Sequence, residues 1–120
     1  MYYTYMIRCE DNTIYTGITT DPERRWQEHL AGGVKAAKYT RSHKAEQLLA
    51  LWQSDSRSLA SRLEYFIKKL TKAQKEVLAE SGCLTPYADR VPVEDYILLK
   101  CGRNPAGDPA GRVDLHQVFE

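Results

Sequence analysis

Two strand-forming segments joined by a short polar turn begin the chain, and they constrain its fold more than any other feature. Residues 2–9 alternate between two faces and are rich in strand formers, which is the period expected of a half-buried strand. Residues 10–13 are turn formers, and strand-forming residues resume over residues 14–19. The sequence therefore predicts an antiparallel β-hairpin. Within it, Gly17 indicates a bulge or a place where another backbone or a ligand comes close.

A helix is predicted directly after the hairpin. Thr20 and Glu23 have the spacing of a capping box, Pro22 suits a first helical turn, and Gly32-Gly33 ends the segment. Because residues four apart share a helix face, we expect one face to carry Trp26 and Leu30 toward the core. A second face, rotated by about 100°, carries Arg25 and His29.

The rest of the chain predicts a third strand and two more helices. Residues 34–44 are basic and irregular, and residues 47–52 form a short apolar run that we interpret as the strand. Apolar residues then recur with helical spacing over residues 59–70, the strongest such stripe in the chain. A capping box at Thr71 and Gln74 predicts a last helix that ends near Gly82.

These elements predict an α+β domain: a small three-stranded antiparallel sheet flanked by helices, in the order β-β-α-β-α-α. We place this domain at residues 1–83. Residues 84–120 hold four of the five prolines and are predicted to be a C-terminal extension. One strand is expected there, at residues 96–100, with the remainder either appended to the sheet or partly disordered.

Charge is unevenly distributed although the net charge is only +1. Residues 24–44 contain six Lys or Arg against one acid, and residues 57–75 contain six against one. Residues after Glu80 are slightly acidic. Two basic segments suggest an anionic polymer as partner, although lysine-rich helix faces are often merely solvated.

Other classes of protein are disfavoured by composition. No run of about 18 apolar residues is present, so we expect no membrane span and a cytoplasmic protein. Cys9, Cys83 and Cys101 are widely spaced and lack a Cys-x-x-Cys pair, so we expect reduced thiols, with Cys9 buried in its strand.

Five residues could carry chemistry once the elements are placed. Tyr5 and Tyr15 lie on the paired strands of the hairpin, although tyrosines in a hairpin are more often packing residues. Arg25 and His29 share a helix face. Glu64 is the single acid in the second basic segment, where it is either a surface partner of a lysine one turn away or a metal ligand.

Taken together, the pattern resembles the GIY-YIG nuclease superfamily. The resemblance covers about residues 2–80, and it looks most like the compact single-domain bacterial branch, which is similar to the nuclease domain of the Slx-type structure-specific endonuclease subunit. Tyr3-Thr4-Tyr5 stands where that family has Gly-Ile-Tyr, and Tyr15-Thr16-Gly17 stands where it has Tyr-Ile-Gly. The matching segments are Tyr3-Thr4-Tyr5, Tyr15-Thr16-Gly17, the helix with Arg25 and His29, Ala37-Lys38-Tyr39-Thr40-Arg41, and Arg62-Leu63-Glu64-Tyr65.

The resemblance implies catalytic roles for Tyr5, Tyr15, Arg25 and His29, with Gly17 as the structural turn residue. It implies that Glu64 holds one divalent ion, Mg²⁺ or Mn²⁺. Tyr3, Thr4 and Thr16 differ from the family's triplets. Both phenols and Gly17 are still present. A late asparagine that some relatives use has no counterpart, since Asn104 lies in the divergent tail.

The expected activity is metal-dependent hydrolysis of DNA phosphodiester bonds. Arg25 would bind the phosphate with a guanidinium that stays charged. The general base could be Tyr5, Tyr15 or His29. For a tyrosine, the metal and Arg25 would have to lower the phenol pKa, which is about 10 when unperturbed. Exposed basic residues and one aromatic residue would bind the backbone phosphates. The protein would then recognise the shape of the DNA, so that branched, nicked or single-stranded DNA is favoured over a particular duplex sequence. The proposed nucleic-acid-binding residues are Lys35, Lys38, Tyr39, Arg41 and Lys68.

Two other hypotheses remain open at this stage. One is a catalytically weak nucleic-acid-binding module of the same fold. The other is a domain whose activity depends on a protein partner that docks on the tail. RNA is an alternative substrate to DNA.

Overall fold

The computed structural model describes residues 1–103, and Asn104 and the rest of the tail lie outside that range. It confirms an α+β fold in which helices flank an antiparallel sheet. The strands and helices are β1 (Tyr2–Cys9), β2 (Ile14–Thr19), α1 (Pro22–Ala31), α2 (Lys38–Ser42), β3 (Ala45–Ser54), α3 (Arg57–Lys68), α4 (Lys72–Ser81) and β4 (Ile97–Lys100).

Within residues 1–103 the sheet has four strands in the order β2-β1-β3-β4, one more than the predicted domain contains. β1 pairs antiparallel with β2, as the alternating pattern predicts, and with β3 on its other side. The fourth strand is β4, which begins one residue later than the expected strand and pairs with β3. Among residues 1–103, β2 is an edge strand, and it carries Tyr15 and Gly17.

Each face of the sheet covers its own core, because successive side chains on a strand point in opposite directions. One core holds Met6 and Trp52 together with buried residues of α3 and α4. The other holds Tyr5, Ile7 and Leu51 on the face that packs against α1. The alternation of β1 therefore decides that Tyr5 lies on the α1 side of the sheet.

The C-terminal segment that follows α4 packs against the first core. Leu84, Val91 and Tyr96 are buried there, and the Tyr96 hydroxyl donates to the Leu59 carbonyl at 2.6 Å. The boundary after residue 83 stays a prediction. Among residues 1–103, no helix is long and apolar enough to cross a membrane.

The middle of the chain is more regular than predicted. Residues 34–44 contain α2, whose Thr40 is buried, as is Ala36 before it. β3 extends beyond the predicted residues 47–52 at both ends. Short polar helices such as α2 have little apolar periodicity, which explains why the sequence pattern misses them.

The face of α1 that contacts the sheet also differs from the prediction. His29 is completely buried, whereas Leu30 is 39% exposed. Trp26 packs against the second core and shares its face with His29, three residues later, rather than with Leu30. Burial of a histidine is tolerated here because both ring nitrogens have hydrogen-bond partners.

Short polar side chains cap the N-termini of α1 and α4. The capping box at Thr71 and Gln74 is confirmed, and Gly82 ends α4 in the left-handed conformation. For α1, the capping box at Thr20 is wrong, because the Asp21 carboxylate accepts from the Arg24 N–H at 3.2 Å. A charged cap also interacts favourably with the helix dipole.

Replacing Asp21 with alanine should therefore destabilise the fold by about 1 kcal/mol, because it removes the partner of an otherwise unpaired N–H. Thr20→Ala is the matched control and should change the free energy of unfolding by less than about 0.5 kcal/mol. Urea denaturation of both variants measures the difference. A larger loss from Thr20→Ala than from Asp21→Ala would contradict this assignment of the cap.

Candidate active site

The hairpin places two phenols on the same face of the sheet. Tyr5 pairs with Gly17, and Ile7 pairs with Tyr15, so that the rings of Tyr5 and Tyr15 lie 6.3 Å apart between centroids. A Cβ atom at Gly17 would lie 2.5 Å from the Tyr5 Oη and 3.1 Å from the Tyr15 ring. Glycine is therefore needed at this strand position because the Tyr5 phenol occupies the space of a side chain.

α1 adds a histidine to the two phenols. His29 Nε2 lies 2.8 Å from the Tyr5 Oη, and the His29 ring lies 5.5 Å from the Tyr5 and Tyr15 rings. The other ring nitrogen, Nδ1, lies 2.7 Å from the Thr40 Oγ1 on α2. His29 is thus held on both sides, by a strand residue and by a helix residue.

Burial shifts both partners of the Tyr5–His29 hydrogen bond toward their neutral forms. Desolvation and the neighbouring Tyr15 raise the pKa of the Tyr5 phenol well above its ordinary value, and Arg25 only partly opposes this rise. Desolvation, with Arg25 as a second cause, lowers the pKa of His29 to about 4. At neutral pH the pair is therefore a neutral phenol next to a neutral imidazole.

Arg25 projects from α1 one turn before His29. Its Nη1 donates to the Glu28 carboxylate at 2.8 Å and to the Lys35 carbonyl at 2.5 Å. A guanidinium has five N–H donors, so this anchoring through one nitrogen orients the group and leaves donors that can bind an anionic oxygen. Its influence on the pKa of Tyr5 and of His29 places this charge beside both.

Glu64 comes from α3, which packs on the opposite face of the sheet and contacts β2 at its edge. Its carboxylate pairs with the Lys68 ammonium at 3.1 Å, and the Lys68 Nζ lies 6.0 Å from the centre of the Tyr15 ring. The charge of Glu64 also contributes to the raised pKa of Tyr5. The structure therefore brings Glu64 to the same end of the sheet as the two phenols.

The surroundings of Glu64 suit a divalent ion that keeps most of its waters. Among residues 1–103, no group of three or more His, Cys, Asp or Glu side chains could enclose a metal. The Glu64 side chain is 23% exposed, so its carboxylate can provide one ligand while water and substrate provide the others. Mg²⁺ is commonly bound in this way, through one or two carboxylates and phosphate oxygens.

The predicted nucleic-acid-binding residues lie mostly at the surface. Lys35, Lys38, Arg41 and Lys68 are exposed. Tyr39 is only partly exposed, because one face of its ring stacks on Tyr15 and the other stacks on His43 at 4.2 Å between centroids.

Two residues at the site have no counterpart among the predicted ones. Thr40 lies within residues 34–44, whose sequence pattern predicts no helix, and a buried threonine has no distinctive sequence signal. His43 stacks on Tyr39 and pairs with the Asp11 carboxylate at 2.5 Å. The spacing of four residues between Tyr39 and His43 could have indicated that contact, had a helix been predicted there.

Comparison with known proteins identifies the family of this chain. A family model described as the GIY-YIG catalytic domain matches residues 1–77. The chain belongs to the GIY-YIG nuclease family. The resemblance in the sequence is therefore confirmed. Membership of this family implies that the substrate is nucleic acid. Nucleases of this family generally use divalent metal ions.

Similar proteins come from bacteria and archaea. A UPF0213 protein of Fusobacterium nucleatum is 51% identical over 75 residues, which make up 62% of this chain and 73% of the relative. The UPF0213 protein YhbQ of Escherichia coli is 52% identical over 82 residues, 68% of this chain and 79% of the relative. The solution NMR structure of a UPF0213 protein from Bacillus halodurans is 43% identical, covers 65% of this chain and 82% of that one, and has a TM-score of 0.42.

Gly17→Ala should destabilise the fold by about 1–3 kcal/mol, because the new methyl group forces the Tyr5 phenol to move in a packed environment. Gly33→Ala is the matched control, since a Cβ atom at Gly33 meets no atom within 4 Å. Denaturant titration of both variants measures the two free energies. Equal stabilities would show that the close packing of Tyr5 on Gly17 is not a constraint.

The buried neutral His29 also predicts a pH dependence of stability. Its pKa is about 4 in the folded state against 6.5 when unperturbed, so the unfolded state binds the proton first. The neutral His29 side chain therefore contributes fully to the free energy of unfolding above pH 6.5, and this contribution is lost as the pH falls toward about 4. Between about pH 7 and about pH 5, the wild type should lose about 1–2 kcal/mol more than His29→Gln. Parallel pH profiles of the two proteins would contradict this.

Proposed function

We propose that this chain is a divalent-metal-dependent endonuclease that hydrolyses DNA phosphodiester bonds and selects its substrates by structure rather than by sequence. The observation that supports this most is the 2.8 Å hydrogen bond between the Tyr5 Oη and the His29 Nε2. A neutral imidazole that is hydrogen-bonded to a phenol can accept the proton of that phenol. Arg25 and Glu64 lie beside this pair with the charges that phosphate hydrolysis requires.

Tyr5 and His29 together would serve as the general base. Alone, Tyr5 is a poor base, because accepting a proton from water first requires loss of its own, and burial disfavours the phenolate. With His29 as the neighbour, the Tyr5 oxygen accepts the proton of the attacking water while its own proton moves to Nε2. The products of this step are a hydroxide-like nucleophile, a neutral phenol and an imidazolium.

Substrate binding would help this transfer. Arg25 is one of the causes that lower the pKa of His29, and a phosphate paired with Arg25 offsets that positive charge. Desolvation remains the larger cause, so the pKa of His29 rises only part of the way toward its ordinary value, which makes the ring a better proton acceptor than in the free protein. Arg25 also binds the non-bridging oxygens with its planar donors, and it keeps its charge through the reaction.

Glu64 would hold the divalent ion. Bound there, the ion supplies Lewis-acid stabilisation of the phosphate and of the leaving oxygen. Lys68 is the present partner of the Glu64 carboxylate, and it is free to turn toward a backbone phosphate when the carboxylate takes another cation. A lysine side chain allows this because its stem is flexible.

Selectivity for DNA structure follows from what surrounds the site. The basic residues near it are Lys35, Lys38, Arg41 and Lys68, which are all exposed and suited to backbone phosphates. Contacts of this kind give affinity without sequence information. A site at the edge of a sheet also suits a strand that leaves a duplex at a branch, flap or nick.

Cleavage assays with labelled branched, nicked, single-stranded and linear duplex DNA, and with RNA of the same sequences, test this function. With Mg²⁺ or Mn²⁺, the wild type should cut branched or nicked DNA faster than linear duplex. Glu64→Gln and Arg25→Ala should each reduce the rate by about 100-fold or more, because each removes charge stabilisation from the reacting phosphate. Glu94→Gln, an exposed carboxylate on a short turn before β4, is the control and should cut normally.

The outcomes separate the competing functions. If the wild type, Glu64→Gln and Arg25→Ala all cut equally, the cleaving activity does not come from this site. If the wild type binds DNA at low salt but cuts none of the substrates, the chain is a binding module or needs a partner subunit. Preferential cleavage of RNA would change the substrate but not the proposed chemistry.

A further inference from the structure

The hydrogen bonds of Thr40 determine where the proton of the His29 ring lies. The Thr40 Oγ1 lies 3.2 Å from the Ala37 carbonyl oxygen and 2.7 Å from the His29 Nδ1. A hydroxyl has a single hydrogen, and a carbonyl oxygen can only accept. When that hydrogen is donated to Ala37, the hydroxyl oxygen can only accept from His29. In that arrangement Nδ1 carries the ring proton.

The neighbours of Tyr5 lead to the same tautomer. A neutral imidazole has one N–H, so with the proton on Nδ1 the Nε2 accepts the phenol proton of Tyr5. In the opposite tautomer Nε2 would donate to the phenol oxygen, and the phenol hydrogen would need a different acceptor. Arg25, which also lies beside Tyr5, has only donors. The buried phenol is thus best satisfied when Nε2 is unprotonated.

We infer that Thr40 is a positioning residue that holds His29 in the tautomer protonated on Nδ1, so that Nε2 can receive the proton of Tyr5. The hydrogen bonds then run in one direction, from Tyr5 through His29 and Thr40 to the Ala37 carbonyl. The consequence for catalysis rests on the proposed function, whereas the tautomer itself does not. Thr40 acts through His29 and does not touch the substrate.

The position of Thr40 in α2 favours this direction of its hydrogen bond. Ala37 is the N-cap residue of α2, and its carbonyl also accepts from the Arg41 N–H at 3.1 Å. Thr40 lies one turn later and is buried, so its hydroxyl points back at that carbonyl within the first helical turn. A short helix in the basic segment therefore has a second role besides presenting basic side chains.

The tautomer can be measured directly by long-range ¹H–¹⁵N correlation NMR of protein labelled in its histidines, with the His29 signal assigned from His29→Gln. In the wild type, His29 should be protonated on Nδ1. Thr40→Val removes the hydroxyl while keeping the shape, and it should shift the ring toward the Nε2-protonated form. Thr40→Ser keeps the hydroxyl and should preserve the wild-type tautomer.

Thr4→Val is a matched control, because Thr4 is equally buried and also donates its hydroxyl to a backbone carbonyl, that of Ala60 at 3.0 Å. Thr4 lies on the other face of β1, so its replacement should leave the His29 tautomer unchanged. In cleavage assays, Thr40→Val should lower kcat by at least about tenfold with little change in KM. Thr40→Ser should restore kcat, and Thr4→Val should retain it.

The two measurements fail in different ways. An Nε2-protonated His29 in the wild type, or an unchanged tautomer in folded Thr40→Val, would overturn the inference whatever the activity. If Thr40→Val does not fold, the wild-type tautomer alone decides. If the tautomers behave as expected but the wild type cuts no DNA, Thr40 still positions His29 and it is the proposed nuclease function that fails.

Discussion

The buried hydrogen bond between Tyr5 and His29 joins the two parts of the molecule that the site requires. Tyr5 belongs to the central strand of the sheet and His29 to the helix packed on it, so the contact fixes α1 against β1. Gly17 leaves room for the phenol from the neighbouring strand, and Thr40 holds the far side of the imidazole from α2. Four separate elements thus meet at one donor–acceptor pair.

Burial of this pair has an electrostatic consequence that an exposed pair would not show. Removing water disfavours both the phenolate and the imidazolium, so the resting site is neutral and depends on its surroundings for reactivity. Arg25 and Glu64 supply opposite charges at its margin. Glu64 comes from α3 on the far face of the sheet, and α3 contacts β2, which is an edge strand among residues 1–103.

Much of this architecture was predictable because the signals are local. The period of two in the hairpin places both phenols on one face, and the apolar stripe of α3 identifies the helix of Glu64. The features that sequence reasoning missed, among them the burial of His29, depend on tertiary contacts instead. His29 is buried in place of Leu30 because its polar ring finds partners on β1 and α2, and no pattern within α1 reveals those partners.

Thr40 shows the same limit more sharply. Thr40 lies within Ala37-Lys38-Tyr39-Thr40-Arg41, a segment that resembles the family. Its role nevertheless depends on a hydrogen bond to His29, eleven positions earlier in the chain. The cap of α1 is a smaller case, in which two neighbouring residues can both act as caps. Only the backbone geometry of Asp21 selects between them.

A double-mutant cycle on cleavage of branched DNA tests most directly whether Tyr5 and His29 act as one base. Single-turnover rates would be measured for the wild type, Tyr5→Phe, His29→Gln and the double variant. If the pair transfers one proton between them, each single variant should lose nearly the full effect and the double variant should lose little more. Losses that multiply in the double variant would show that the two residues act independently and would contradict the account.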